Sequence, residues 1–156
     1  MNKLAIVTGA SSGIGQATAR RLAKLGYNLV ITARRKERLE ELAEELISTY
    51  GIKIQILSFD VRDREATEQA LSTIDKSLGD ICVLMNNAGL AAGLEHIDQG
   101  STDDWDRMID TNVKGVLYVT RIVSTPSVWP PRPSWPAWPS SWPATTPASS
   151  TVLSSP

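Results

Sequence analysis

Proline divides this sequence in two. None of its nine prolines lies in residues 1–121, and all nine lie in residues 122–156. At the usual frequency of about 5%, roughly six would fall in the first segment and two in the second. Proline fixes φ and removes a backbone donor, so it interrupts helix interiors and central strands. The first segment is therefore open to long helices and a buried sheet, and the second is not. Charge divides at the same place, with 15 basic and 17 acidic side chains before the boundary and only Arg132 after it. Four of the five tryptophans crowd into PSVWPPRPSWPAWPSSWP, residues 126–143.

Before that boundary, short apolar runs alternate with helical patterns. KLAIVTG is β-branched and ends in glycine, as a strand buried on both faces does. IGQATARRLAKLG follows, with Ile14, Ala17, Leu22 and Leu25 on a predicted helical stripe and Gly26 as its stop. NLVITA repeats the strand, and RKERLEELAEELISTYG places Leu39, Leu42 and Leu46 at helical spacing before Gly51. KIQILSFD, REATEQALSTIDKSLG and ICVLMN predict a strand, a helix and a strand. A loop from Asn87 to Gly100 leads to a last helix that starts at Ser101, with Asp104 in an acidic variant of the capping box, and runs through WDRMIDTNVKGVLYVTRIV.

Four such alternations predict an α/β, Rossmann-like, doubly wound parallel sheet of about four βα units, incomplete, followed by a Pro/Trp-rich irregular tail. The domain boundaries expected are 1–123 and 124–156. Ligands of such sheets lie at the carboxyl ends of the strands, here residues 8–15, 33–35, 60–61 and 86–89. With 42% apolar residues the chain is rich enough for one core. Its near balance of charge excludes a nucleic-acid stripe or a polybasic membrane patch, and no run approaches the roughly 18 apolar residues of a membrane span. A single cysteine, Cys82, fits a reducing compartment, so a cytoplasmic location and a small-molecule partner are expected.

TGASSGIG, Thr8 to Gly15, joins the first strand to the first helix. A turn this tight needs residues without Cβ, and a pyrophosphate can approach the backbone only where side chains are absent. The helix N-terminus beyond adds free N–H groups and a positive dipole end. Gly9, Gly13 and Gly15 suit those tasks, although glycine-rich turns also serve packing. At the exit of the second strand, where an acid would select NAD, stand Arg34 and Arg35. Paired guanidiniums suit a 2′-phosphate, which favours NADP(H) over NAD(H). For Arg35 the solvated first turn of the next helix is an equal alternative, and Ser12 adds no further cation. His96 stands alone in a polar loop, and no His, Cys or carboxylate cluster has metal-ligand spacing, so no metal is expected.

TGxxxGIG at Thr8–Gly15, DV at Asp60 and Val61, NNAG at Asn86–Gly89 and TNVKG around Asn112 occur together and in order. In these motifs the sequence resembles the short-chain dehydrogenases/reductases. From NNAGLAAGLEHIDQG to YVTR it looks like their NADP-dependent 3-hydroxy acid (serine-type) branch. The resemblance implies an oxidoreductase passing hydride between NADP(H) and a carbonyl or secondary alcohol, 3-hydroxy acids among them. It implies cofactor contacts from Gly9, Ser11, Ser12, Gly13, Ile14 and Gly15, an adenine subsite at Asp60 and Val61, and a nicotinamide-ribose subsite at Asn87, Ala88 and Gly89. Asn112 is the catalytic residue it implies, through a water in a proton relay. The duller readings are a capped strand exit for Asn86 and Asn87 and a helix surface for Asn112. For the intact family it implies a homo-oligomer. Its serine and its YxxxK motif are absent: Tyr27, Tyr50 and Tyr118 are followed four residues on by Ile31, Ile54 and Ile122. The resemblance ends near Val123, so these 156 residues are expected to bind cofactor without turnover, to fold weakly, and to leave the fourth strand as an apolar edge.

Three readings of residues 124–156 stay open. PxxP spacings at Pro130/Pro133, Pro133/Pro136 and Pro136/Pro139 suit a polyproline II segment, which makes a nucleotide-binding protein that docks aromatic-groove modules the alternative function. A solvated linker is the second reading, against which the tryptophans count. The third, a shifted reading frame, is the favoured one. Joining each codon's third base to the next two permits Ile-Ile-Asn followed by a serine region across Ala148–Ser154, which resembles the family's fifth strand.

Overall fold

The computed structural model describes residues 2–93, 95–125 and 128. The tail readings, including the PxxP spacings, fall almost wholly outside these residues. Four parallel strands form one sheet in the order β3-β2-β1-β4: β1 (Lys3–Thr8), β2 (Asn28–Ala33), β3 (Ile54–Ser58) and β4 (Asp80–Met85). The doubly wound α/β expectation holds. β1 and β2 are central and buried along almost their whole length, as their unbroken apolar runs require. β4 is an edge among the described strands and is only half covered. Its register against β1 slips by one residue, so that Leu4 faces Ile81 and Ala5 faces Val83, with Cys82 as the extra residue.

α1 (Gly13–Lys24) and α2 (Lys36–Tyr50) cover one face of the sheet, where Ala5, Val7, Leu29 and Ile31 meet Leu39, Leu42 and Leu46. Each fully buried leucine contributes about 1.5–3 kcal/mol as an upper estimate. α2 ends where predicted, with Gly51 in the left-handed region at φ 64° and its N–H on the Ile47 carbonyl. The stripe predicted for α1 is wrong. Ile14 is 73% exposed and Leu25 58%, and Ala17 also faces out, whereas Gly15, Ala19 and Ala23 are buried and Leu22 is half-buried. Small residues every four positions let the helix backbone settle close to the sheet, so the larger side chains turn outward.

The other face carries α3 (Arg64–Ser72) and α5 (Val116–Val123), with Leu4, Ile6 and Val30 packed against Leu71, Val119 and Val123. The third helix is shorter than predicted. The Thr73 hydroxyl donates to the Ala70 carbonyl, while the Gln55 side chain takes the Thr73 carbonyl and the Asp75 N–H, both at 2.9 Å. These bonds end the helix, and Asp75 caps a separate 3₁₀ turn at Lys76–Leu78. The last helix begins at α4 (Thr102–Ile109), where Ser101 accepts the Asp104 N–H at 3.4 Å. The Asp104 carboxylate goes to Arg107 instead of completing the box. A wider π turn, Asp110–Gly115, then joins α4 to α5.

Asn28 latches the amino ends of the strands. It is buried, donates to the Leu78 carbonyl at 2.6 Å and accepts the Lys53 N–H at 2.9 Å. No described helix is long and apolar enough to cross a membrane.

Candidate functional site

Strand order reverses at β1, because β2 and β3 lie to one side of it and β4 to the other. Loops leaving β1 and β4 therefore part in opposite directions and open a crevice at their carboxyl ends. A cavity of about 190 Å³ lies there. Of the residues predicted from sequence, Gly9, Ser11, Arg34, Arg35, Asp60, Val61, Asn87, Ala88 and Gly89 all line it, so four separate strand exits converge. Ser12, Gly13, Ile14, Gly15 and Asn112 stand outside the lining.

The glycine turn is built by close approach. Gly9 has φ 67°, and a Cβ there would lie 2.8 Å from Ala88 Cα. A Cβ on Gly15 would collide with the Asn87 side-chain nitrogen and the Gly9 carbonyl oxygen. Gly13, at φ 56°, faces open space instead, so its requirement is conformational. Ser12 is the extended residue preceding α1, and Gly13 and Ile14 form the exposed first turn.

Thr8 joins the two sides of the crevice. Its hydroxyl accepts the N–H groups of Asn87 and Ala88, both at 3.0 Å, and donates to the Met85 carbonyl. Asn87 returns the link, its amide donating to the carbonyls of Thr8 and Gly9 at 3.1 and 3.2 Å. Its side chain thus holds the glycine turn against the β4 exit.

Arg35 is exposed and immediately precedes the first turn of α2. It lines the cavity and its guanidinium donates to the Ser11 and Ser12 hydroxyls at 3.3 and 3.5 Å, bringing its charge beside the glycine turn. Arg34 lines the same wall. Asp60 is gripped by Arg62, whose Nη2 lies 2.6 Å from Oδ2. The Arg62 hydrogen bonds hold the Asp60 carboxyl below the usual carboxylate range, aided by the Arg34 charge and opposed by partial burial.

Asn112 lies in the π turn, exposed as its duller reading has it, and both ends of its amide are engaged. It accepts the Leu90 N–H and donates to the Leu90 carbonyl, each at 2.8 Å, tying the loop after β4 to the last helix. Residues missed from sequence are Thr32, Phe59, Leu90 and Thr111, which line the cavity, and Gly115, where a Cβ would lie 2.8 Å from Val61 Cγ2. Thr111 and Gly115 flank Asn112 within TNVKG, so the motif was the available signal.

The description short chain dehydrogenase matches residues 3–128 as a family model. The chain belongs to that family. Among curated family members, an NADP-dependent 3-hydroxy acid dehydrogenase of Escherichia coli (strain K12) is 43% identical over 120 residues, covering 77% of this chain and 47% of that protein. A serine 3-dehydrogenase of Agrobacterium fabrum is 46% identical with the same coverage. The closed form of a serine dehydrogenase complexed with NADP+ superposes with a TM-score of 0.72 at 43% identity, covering 80% of this chain and 48% of that one. The chain thus spans about half the length of the family members it matches.

Proposed function

We propose that residues 1–123 are the cofactor-holding part of an NADP(H)-dependent oxidoreductase that acts on a carbonyl or secondary alcohol, with 3-hydroxy acids as the substrate class. The observation that carries this reading is the convergence of Arg34 and Arg35 on the cavity beside the glycine turn. Both homologues named above bear dehydrogenase names of that kind.

The residues fit such a dinucleotide. Gly9 and Gly15 bring the turn against Ala88 and Asn87, while open space at Gly13 and the α1 N-terminus suit a pyrophosphate, with Ser11, Ser12 and Ile14 around it. Arg34 and Arg35 hold the 2′-phosphate, Asp60 and Val61 the adenine, and Asn87, Ala88 and Gly89 the nicotinamide ribose. The bound cofactor supplies or accepts hydride. Asn112 steadies the Leu90 loop beside it and organises a water of the proton relay.

These 156 residues hold no YxxxK, so they bind and orient cofactor without delivering the proton. Residues 124–156 derive from a shifted frame; reading the gene's nucleotides tests this. The protein is cytoplasmic, and the intact enzyme is a homo-oligomer. Calorimetry on the full chain is expected to show binding of NADPH in preference to NADH, without NADPH-dependent carbonyl reduction. A folded sample that ignores both dinucleotides refutes the cofactor reading, and steady turnover refutes the absence of proton delivery.

A further inference from the structure

Asp60 lines the cavity, and its carboxylate is already occupied on one side. Oδ1 accepts the Arg62 backbone N–H at 3.0 Å, Nε is shared between Oδ1 and Oδ2 at 3.1 and 3.0 Å, and Nη2 reaches Oδ2 at 2.6 Å. A carboxylate offers about four acceptor sites. Three N–H hydrogens from one residue leave it about one. The Asp63 N–H closes the turn on the Asp60 carbonyl at 3.0 Å, so donor and acceptor sit on one short, bonded loop.

Side-chain exposures of 34% for Arg62 and 27% for Asp60 place the pair at the surface, where ion pairs add little to folding stability. What it does fix is direction. An unrestrained carboxylate turns about its last bond and must be ordered when a ligand arrives; this one is ordered beforehand. The neighbouring charges favour the same state, with Arg34 on the cavity wall acting on Asp60 and Asp110 acting on Arg62.

We propose that Arg62 is a positioning residue for adenine: it holds the Asp60 carboxylate in one orientation and leaves it a single acceptor for the exocyclic amine of the base. This rests on the cofactor reading above and adds to it a source of base selectivity.

The test compares two ligands on the full chain by calorimetry: NADPH and its hypoxanthine counterpart, in which a carbonyl oxygen replaces the amine. The wild type is expected to favour NADPH about tenfold or more, because the analogue loses a charge-assisted bond and turns an acceptor toward the carboxylate. Arg62→Ala, and Arg62→Lys, which keeps the charge without the planar fork, are expected to reduce that preference to about threefold or less. In an Asp60→Ala background, Arg62→Ala is expected to leave the ratio unchanged. Circular dichroism confirms folding, and Arg62→Lys carries the test if Arg62→Ala does not fold. A wild type without preference, or both Arg62 variants retaining the wild-type ratio, overturns the assignment alone. A folded wild type that binds neither NADPH nor NADH overturns the cofactor reading and this assignment together.

Discussion

Replacing Thr8 by valine isolates the hydrogen bonding that holds the crevice together. Valine keeps the β-branched shape that suits the strand and puts a methyl group where the hydroxyl was. Thr8 is 1% exposed, so the space it fills is unchanged while its bonds are lost. The N–H groups of Asn87 and Ala88 would then lack the acceptor each now has at 3.0 Å. An orphaned buried donor costs about 1–3 kcal/mol. Both lie in half-buried residues, where water reaches some of the freed groups, so the lower half of that range applies and the sum is about 2–4 kcal/mol. Against about 5 kcal/mol, the low end of domain stability that suits a weakly folding chain, the variant keeps a folded majority but is measurably weakened. Urea unfolding followed by circular dichroism is the assay, and at a slope of about 2 kcal/mol per molar the midpoint falls by about 1–2 M. Thr8→Ser keeps the hydroxyl and is expected to retain most of the stability. A loss below about 0.5 kcal/mol in the valine variant, or an equal loss in the serine variant, refutes the reasoning.

Joint replacement of Arg34 and Arg35 by alanine is expected to weaken NADPH binding about 10–100-fold and leave NADH within about threefold, in paired calorimetric titrations; equal losses on both ligands contradict a 2′-phosphate role. Gly15→Ala drives a Cβ into the Asn87 amide and the Gly9 carbonyl, so it should cost more than Gly13→Ala, which meets open space and bears only a backbone penalty of about 1–2 kcal/mol. Melting temperatures rank the pair, and the reverse order rejects the packing account. Because the folded Asp60 carboxyl titrates below its unfolded value, its pair with Arg62 stabilises the fold above about pH 4 and that contribution fades as pH falls through the lowered folded value. Asp60→Asn should therefore flatten the acid limb of the stability curve, measured by urea unfolding between pH 7 and pH 3, and an unaltered limb disproves it.

The strands and the long second helix were legible because their signals are redundant. Leu39, Leu42 and Leu46 repeat at helical spacing and a glycine closes the run, so period and punctuation agree. The strand exits followed from topology, and all four meet at the cavity. The buried face of α1 was not legible, because hydrophobic periodicity favours large side chains, while the contact surface there is Gly15, Ala19 and Ala23. The early end of α3 depends on Gln55, which lies on another element, and no local pattern announces it. Thr8 was visible as the first letter of the glycine turn, but its role depends on Asn87 and Ala88, nearly eighty residues away in sequence. For Asn112, sequence suggested a proton relay or a helix surface, and the clasp of its amide on Leu90 was not legible because that partner lies 22 residues away.

Asn28 sits at the opposite rim of the sheet from the glycine turn, a strand's length of about 20 Å away. Its two bonds restrain the entrances to the strands, while every cavity-lining loop hangs from their exits. The sheet thereby gives robustness and recognition separate addresses. Engineers can tighten or loosen the lower rim and change how readily the chain survives heat, leaving the cavity rim to be tuned on its own terms.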